Sequence, residues 1–413
     1  MIKKIAIISP DTIPIQLTKD APELITFHNK TYSIKDKCTR ATSFGLRCWN
    51  IAEILSKDPE FLVTVFVPNI NFPGRENIDF SKIRFDIQPY GLDAATWEWS
   101  EELDRKLIQQ GFSFVIVQLS YGVGFLNCSV LPNSVNVIVD GYSPILAELP
   151  CALIGKQNVF KKIQWKRFYD QYVSLLQRAN CILYSNDSQA AYYEGQLFTL
   201  GKLDWRAYQF SPLLKVPYGI DINSIEEKET SSSIFKLLWY GSFKSWYYPE
   251  KLLEIAESNP NISIDFIGAS HPRNNKSYFA YFKKFFTNQK LTNVSIIEDY
   301  QDDVSSIYKE YDAGILLSRD WAEEKYSVRV RLLDMLSNGL PVLTNKTNPL
   351  FYELYNLKDS IYPLSLENID SDIKKYYEIK QSVTVSPDSL KYLQDNFNWT
   401  NVIEPLKNYI KIF

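Results

Sequence analysis

The sequence predicts an α/β protein built of two doubly wound, Rossmann-like domains. Three observations carry that prediction. The chain has 413 residues, too many for one ordinary hydrophobic core and suited to two domains. Short apolar runs alternate with segments of helical period, the pattern of parallel strands joined by crossover helices. The alternation comes in two series of similar size, giving expected domains at 1–213 and 214–390 and a helical tail at 391–413.

The first series opens with KKIAIIS, a continuous apolar run that suits a strand buried on both faces. A polar stretch from Pro10 to Thr42 leads to SFGLRCWNIAEILSK. There Leu46, Trp49, Ile51, Ile54 and Leu55 recur at helical spacing, and Thr42 or Ser43 can cap the helix. FLVTVFVP, FSFVIVQ and VNVIVD read as further strands, WKRFYDQYVSLLQRA as a helix, and NCILYSND as another strand. The second series begins at LLKVPYGID. FKLLWYGSF, ISIDFIGAS, NVSIIEDY, AGILLS and LPVLTN are its strands. PEKLLEIAESN, DDVSSIYKEYD and VRVRLLDMLSNG are the helices between them. In open α/β sheets ligands bind beyond the carboxyl ends of the strands, so function is sought there.

Composition narrows the function classes. Lys and Arg total 45 against 48 Asp and Glu, a net charge of -3, which gives no electrostatic case for nucleic acid as a partner. The apolar run after the basic start ends at Pro10, too short for a secretory signal, and no stretch reaches the length of a membrane span. The cytoplasm is the expected compartment. Five scattered cysteines with no CxxC pair, and only His28 and His271, argue against zinc, a disulfide framework or a multi-histidine metal site. Asn-x-Ser/Thr triplets at Asn29, Asn186 and Asn398 read as chance.

Four stretches carry candidate chemistry. In EKYSVRVRLLDMLSNGLPVLTN, a helix starting near Val328 would present free N–H groups and a partial positive charge to a phosphate. Arg329 in its first turn suits bidentate phosphate contacts. Arg331 and Asp334 share a face at i and i+3, where the acid can accept from a ribose diol. A surface helix with an Arg–Asp ion pair fits the same residues. In LWYGSFKSWYYPEKLLE a strand ends at Gly241, where the backbone can approach a ligand, and Lys244 follows before a helix, either as a phosphate ligand or as a solvated loop lysine. Gly45 offers backbone N–H groups from the other domain. Asp140, at the end of VNVIVD, is either a base or sugar-hydroxyl ligand or the cap of a turn. The basic, aromatic stretch at residues 160–168 suits either a peripheral membrane contact or a solvated helix face, and His271 lies just past a strand end.

Taken in order, these segments resemble the family 4 glycosyltransferases of the two-domain GT-B fold. SFGLRCWNIAEILSK resembles the family's Gly-x-Arg-x-x-x-Leu-Ala segment. VIVDGYSP is similar to an Asp-x-Tyr-x-Pro segment of one bacterial branch, as LLQRANCILYSNDSQAAYYEGQL is to the strand before its interdomain link. VPYGID is similar to the Pro-x-Gly-x-Asp junction. LLWYGSFKSWYYPEKLLE resembles the donor loop, and RVRLLDMLSNGLPVLT the Glu-Ala-x-x-x-Gly-x-Pro-Val motif.

The resemblance implies two domains facing across a cleft and transfer of a sugar from a nucleoside-diphosphate sugar. The acceptor would be a polysaccharide, glycolipid or natural product, sugar, lipid-linked or small-molecule in kind, and the anomeric configuration would be retained. It implies Asp334 on the ribose, Lys244 with Arg329 on the diphosphate, Gly241 and Arg331 beside them, Glu324 near the sugar and Gly45 facing the phosphates. Departures are present: Ser242 stands where an arginine is usual, and Tyr326 where the first of two acids is usual. Lys244, Arg329 and Asp140 are the expected catalytic side chains. No metal and no cofactor are expected, because lysine and arginine do the charge work. The alternative from another class is a non-catalytic GT-B subunit that partners an active transferase. A GT-B epimerase, which leans on several histidines, is set aside.

Overall fold

The computed structural model describes residues 2–27, 30–91, 101–120, 130–153, 159–203, 211–222, 234–268, 276–298, 304–349, 351, 354, 357, 360–379 and 385–413. The chain forms two compact units. The first is Met1–Ile145, Lys156–Gly219 and Trp399–Phe413; the second is Leu146–Gly155 and Ile220–Asn398.

The first unit holds β1 (Lys3–Ile8), an antiparallel hairpin of β2 (Leu24–Phe27) and β3 (Lys30–Ser33), then β4 (Phe61–Pro68), β5 (Asp86–Tyr90), β6 (Phe114–Gln118), β7 (Asn136–Asp140), β8 (Cys181–Tyr184) and β9 (Leu213–Lys215). Its main sheet is parallel, in the order β5-β4-β1-β6-β7-β8-β9. The chain runs outward from β1 in both directions, so the topological switch point lies between β1 and β6. Ile5, Ala6, Ile7 and Ile8 of β1 have no exposed surface, which is why its sequence is a run and not an alternation. The helix Ser43–Leu55 is capped by Thr42, whose side chain accepts from the Gly45 N–H.

The second unit holds β10 (Phe235–Tyr240), β11 (Ile262–Ile267), β12 (Val294–Ile297), β13 (Ala313–Leu316), β14 (Val342–Asn345) and β15 (Ile361–Leu364). They form a parallel sheet in the order β12-β11-β10-β13-β14-β15, again reversing at the unit's first strand. Its core is built on Phe235, Leu237, Leu238 and Trp239 of β10, with Phe243, Phe266 and Phe282 stacked around the Trp239 end.

Three expected limits move. Leu213–Lys215 was expected to open the second series. It closes the first sheet instead, pairing with Ile182, Leu183 and Tyr184, so the first unit runs on to Gly219. Leu146–Gly155 joins the second unit: Cys151 is buried in its core, and Ser245 Oγ donates to the Cys151 carbonyl at 2.7 Å. The tail is two helices with different loyalties. Pro387–Phe397 buries Leu393 and Phe397 in the second unit. Trp399–Ile412 belongs to the first unit, where it packs on Ser43–Leu55; Lys3 Nζ donates to the carbonyls of Ile410 and Lys411 at 2.6 and 2.9 Å, and Lys411 pairs with Asp58 at 2.7 Å.

Candidate functional site

The carboxyl edge of the second sheet gathers the expected donor residues. β10 runs out at Tyr240, and Gly241 follows with φ +107°, a conformation side chains avoid. Gly268, with φ +91°, ends the neighbouring β11 and lies against it: a Cβ on Gly268 would sit 3.1 Å from Gly241 Cα. A Cβ on Gly241 would lie 2.5 Å from Cζ and Nε of Arg331. Glycine is therefore required here, and what fills the space it leaves is a guanidinium.

Arg331 comes from the helix Val330–Ser337. Leu332, Leu333, Met335 and Leu336 anchor that helix in the core. Arg331 Nη2 donates to Ser242 O and Ser242 Oγ at 3.1 and 3.0 Å, and the guanidinium lies 5.1 Å from the Tyr247 ring. Its Nη1 is buried without a hydrogen-bond partner. Lys244 is half-buried in the same loop. Burial, then the charge of Arg331, pulls its ammonium below the usual lysine range, while Glu148 acts the other way. Two cations that repel one another thus lie close together, one of them with an unpartnered N–H.

Asp334 is half-buried one turn beyond Arg331. It does not pair with Arg331; Tyr308 donates its hydroxyl to Asp334 Oδ2. Burial raises the carboxyl above the usual range, as does the charge of Asp221, against the pull of the Tyr308 hydrogen bond.

Arg329 occupies the N-cap position with φ -87° and ψ 78°, and its guanidinium lies 5.2 Å from the same Tyr247 ring that Arg331 approaches. It is 4% exposed, and its Nε is buried without a hydrogen-bond partner. Nη1 donates to Glu323 Oε1 at 2.8 Å, and Nη2 donates to Glu323 Oε2 at 2.7 Å, to Ser318 Oγ at 3.0 Å and to Glu324 Oε2. Burial opposes its charge, but the two carboxylates outweigh burial and hold it firmly protonated. Burial raises Glu323 in turn, against the attraction of Arg329. Glu323, Glu324 and Ser318 thus hold the guanidinium within the second unit. Glu324 has no exposed surface and accepts from Asn348 Nδ2 at 3.1 Å.

Two expected residues lie in the first unit. Asp140 has no exposed surface. Its Oδ2 accepts from Arg47 Nε at 2.7 Å and Gln118 Nε2 at 3.2 Å, and Arg47 also donates to the carbonyls of Pro217 and Val216. The carboxylate is the counter-ion of a buried arginine. Gly45 is required by its own unit: a Cβ there would lie 1.7 Å from the Thr12 carbonyl oxygen, so the backbone it approaches is Thr12.

Sequence reading missed Tyr308 and Tyr247, which look like core aromatics until the fold brings them to Asp334 and Arg331. His28 and His271 lie outside the described residues. Within 160–168, Trp165 stacks on Phe168, Lys166 pairs with Asp170 at 2.6 Å, and the side chains of 160–164 and 167 lie outside the described set. No described helix is long and apolar enough to cross a membrane, and among the described residues no three metal-ligating side chains cluster.

No protein-family model matches the chain, and no curated protein matches it by sequence. Solved structures match its fold. Sucrose-phosphate synthase from Thermosynechococcus elongatus gives a TM-score of 0.71 at 12% identity over 100% of this chain and 99% of its own. HepE of Anabaena, solved with UDP and glucose, gives 0.64 at 12% identity over 100% of both chains. WaaG, a glycosyltransferase of lipopolysaccharide biosynthesis, gives 0.61 at 13% identity over 98% of this chain and 99% of its own. The chain thus has the GT-B fold of glycosyltransferases, with a parallel sheet of seven strands in one unit and of six in the other.

Proposed function

We propose that this protein is a glycosyltransferase that moves a sugar from a nucleoside-diphosphate sugar to a polysaccharide, glycolipid or natural-product acceptor. The observation that carries this reading is the Lys244–Arg331 pair at the Gly241 edge, with Asp334 on the same helix as Arg331. The donor diphosphate lies on the two cations. Arg331 supplies the charge that Ser242 lacks, and Asp334 accepts from the ribose hydroxyls. As the sugar–phosphate bond breaks, negative charge grows on the leaving diphosphate, and Lys244 and Arg331 stabilise it where it develops. With that charge met by side chains, turnover is independent of a divalent metal. Solved relatives of the fold bind UDP and glucose, so UDP-sugars head the donor panel. Membership of family 4 and retention of configuration rest on the motif resemblance.

The test is release of nucleoside diphosphate from UDP-, GDP- and ADP-sugars without acceptor, with and without a chelator. Hydrolysis of one donor class, unchanged by the chelator and abolished in Lys244→Ala, is expected. A folded protein that turns over none of them contradicts the reading.

A further inference from the structure

The helix Ile145–Leu153 comes from the amino-terminal half of the chain, yet from Leu146 onward it belongs to the second unit. It docks on the loop that carries Lys244. Ser245, the next residue, donates its hydroxyl to the Cys151 carbonyl at 2.7 Å. Cys151 also lies against the Arg329 pocket: burial, with the charges of Glu323 and Glu148 close by, pushes its thiol up to about 11. Glu148 stands three residues before Cys151, on the same helix face, and is half-buried. The Ser245–Cys151 hydrogen bond brings that helix up to Lys244, whose ammonium is depressed by burial and by Arg331 and supported by the charge of Glu148.

We propose that Glu148 is a built-in counter-ion of the Lys244–Arg331 site, a carboxylate that engages Lys244 in the free protein and must yield when a diphosphate binds. The inference rests on reading that site as a diphosphate site and adds a residue to it. Two cations with no anion near them would hold any diphosphate tightly, including the product. A carboxylate delivered on a separate helix competes for the lysine, weakens the hold on the departing diphosphate and keeps the site available for the next donor. Glu148 is thus a positioning residue for Lys244. It tunes affinity and release and does not touch the reacting atoms.

The experiment compares the full chain with Glu148→Gln, which keeps the side chain's shape and removes its charge. Calorimetric titration with inorganic pyrophosphate reads the site. Labelling of Lys244 by an amine-acylating reagent at pH 8, followed by mass spectrometry, reads its partner without any ligand. Glu148→Gln is expected to bind pyrophosphate about fivefold tighter. Its Lys244 is expected to acylate several-fold faster, since losing the carboxylate lowers the lysine further and enlarges its neutral fraction. Pyrophosphate bound equally by both proteins, or unchanged labelling, overturns the counter-ion role while leaving the diphosphate site standing. Pyrophosphate bound by neither protein overturns the site, and this inference with it.

Discussion

Replacing the two arginines of one short stretch should give opposite results. Arg329→Ala strands two buried carboxylates, since Glu323 is 1% exposed and Glu324 has no exposed surface. Breaking a buried charge network from one side costs about 3–5 kcal/mol. In a domain of this size each kcal/mol lowers the melting temperature by about 2–4 °C, so the second unit should melt roughly 6–20 °C earlier. Arg331→Ala removes two hydrogen bonds to Ser242 and the contact with the Tyr247 ring from a half-buried side chain, and should cost about 1–2 kcal/mol. It also removes one of two diphosphate cations, so nucleotide affinity should fall by about tenfold or more. Glu323→Gln is the control: it leaves Glu324 facing the guanidinium, gives up one of the two hydrogen bonds that Glu323 accepts, and should cost about 1–3 kcal/mol, less than Arg329→Ala. The assays are differential scanning calorimetry and nucleotide titration on the same preparations. If Arg329→Ala melts like the parent and loses nucleotide as fully as Arg331→Ala, the division of labour drawn here is wrong.

Three further outcomes follow from the same geometry. Burial raises Glu323 and Asp334 in the folded state, so their contribution is present below the ordinary carboxylate range and is lost as pH rises through their raised values. The second unit should therefore melt higher at pH 5 than at pH 8, with a shallower gradient in Glu323→Gln; a steeper one would contradict this. Gly241→Ala places a methyl against the Arg331 guanidinium at φ +107° and should cost about 1–3 kcal/mol together with nucleotide affinity; urea unfolding and titration read both. Asp140→Asn leaves Arg47 buried without a counter-ion and should destabilise the first unit by about 3–5 kcal/mol, read by urea unfolding. A stable Asp140→Asn protein that has lost only turnover would restore Asp140 as a catalytic residue.

Much of the fold was legible because parallel strands buried on both faces leave apolar runs that no other element mimics at that length. β1 and β10 are examples. Gly241 was legible as a strand end, and Arg331 and Asp334 as one helix face, because those are local facts. What the sequence hid is non-local. Arg329 and Arg331 sit two residues apart, but the helix begins between them, so one is a buried capping residue held by Glu323 and Glu324 and the other is half-buried against Ser242. Asp140 looked like a free strand-end acid because its partner Arg47 lies 93 residues away. Leu146–Gly155 looked like part of the first domain because membership of the second depends on Cys151 meeting Ser245 across 94 residues. Periodicity reports which face of an element is buried, not which distant element buries it.

The most direct test of the central claim is calorimetric titration of the full chain with UDP, GDP, ADP and CMP, repeated on Arg331→Ala and Lys244→Ala. One diphosphate should bind, and its affinity should fall about tenfold or more in each variant while both stay folded. Binding that survives both substitutions, or no binding by a folded parent, would contradict that claim.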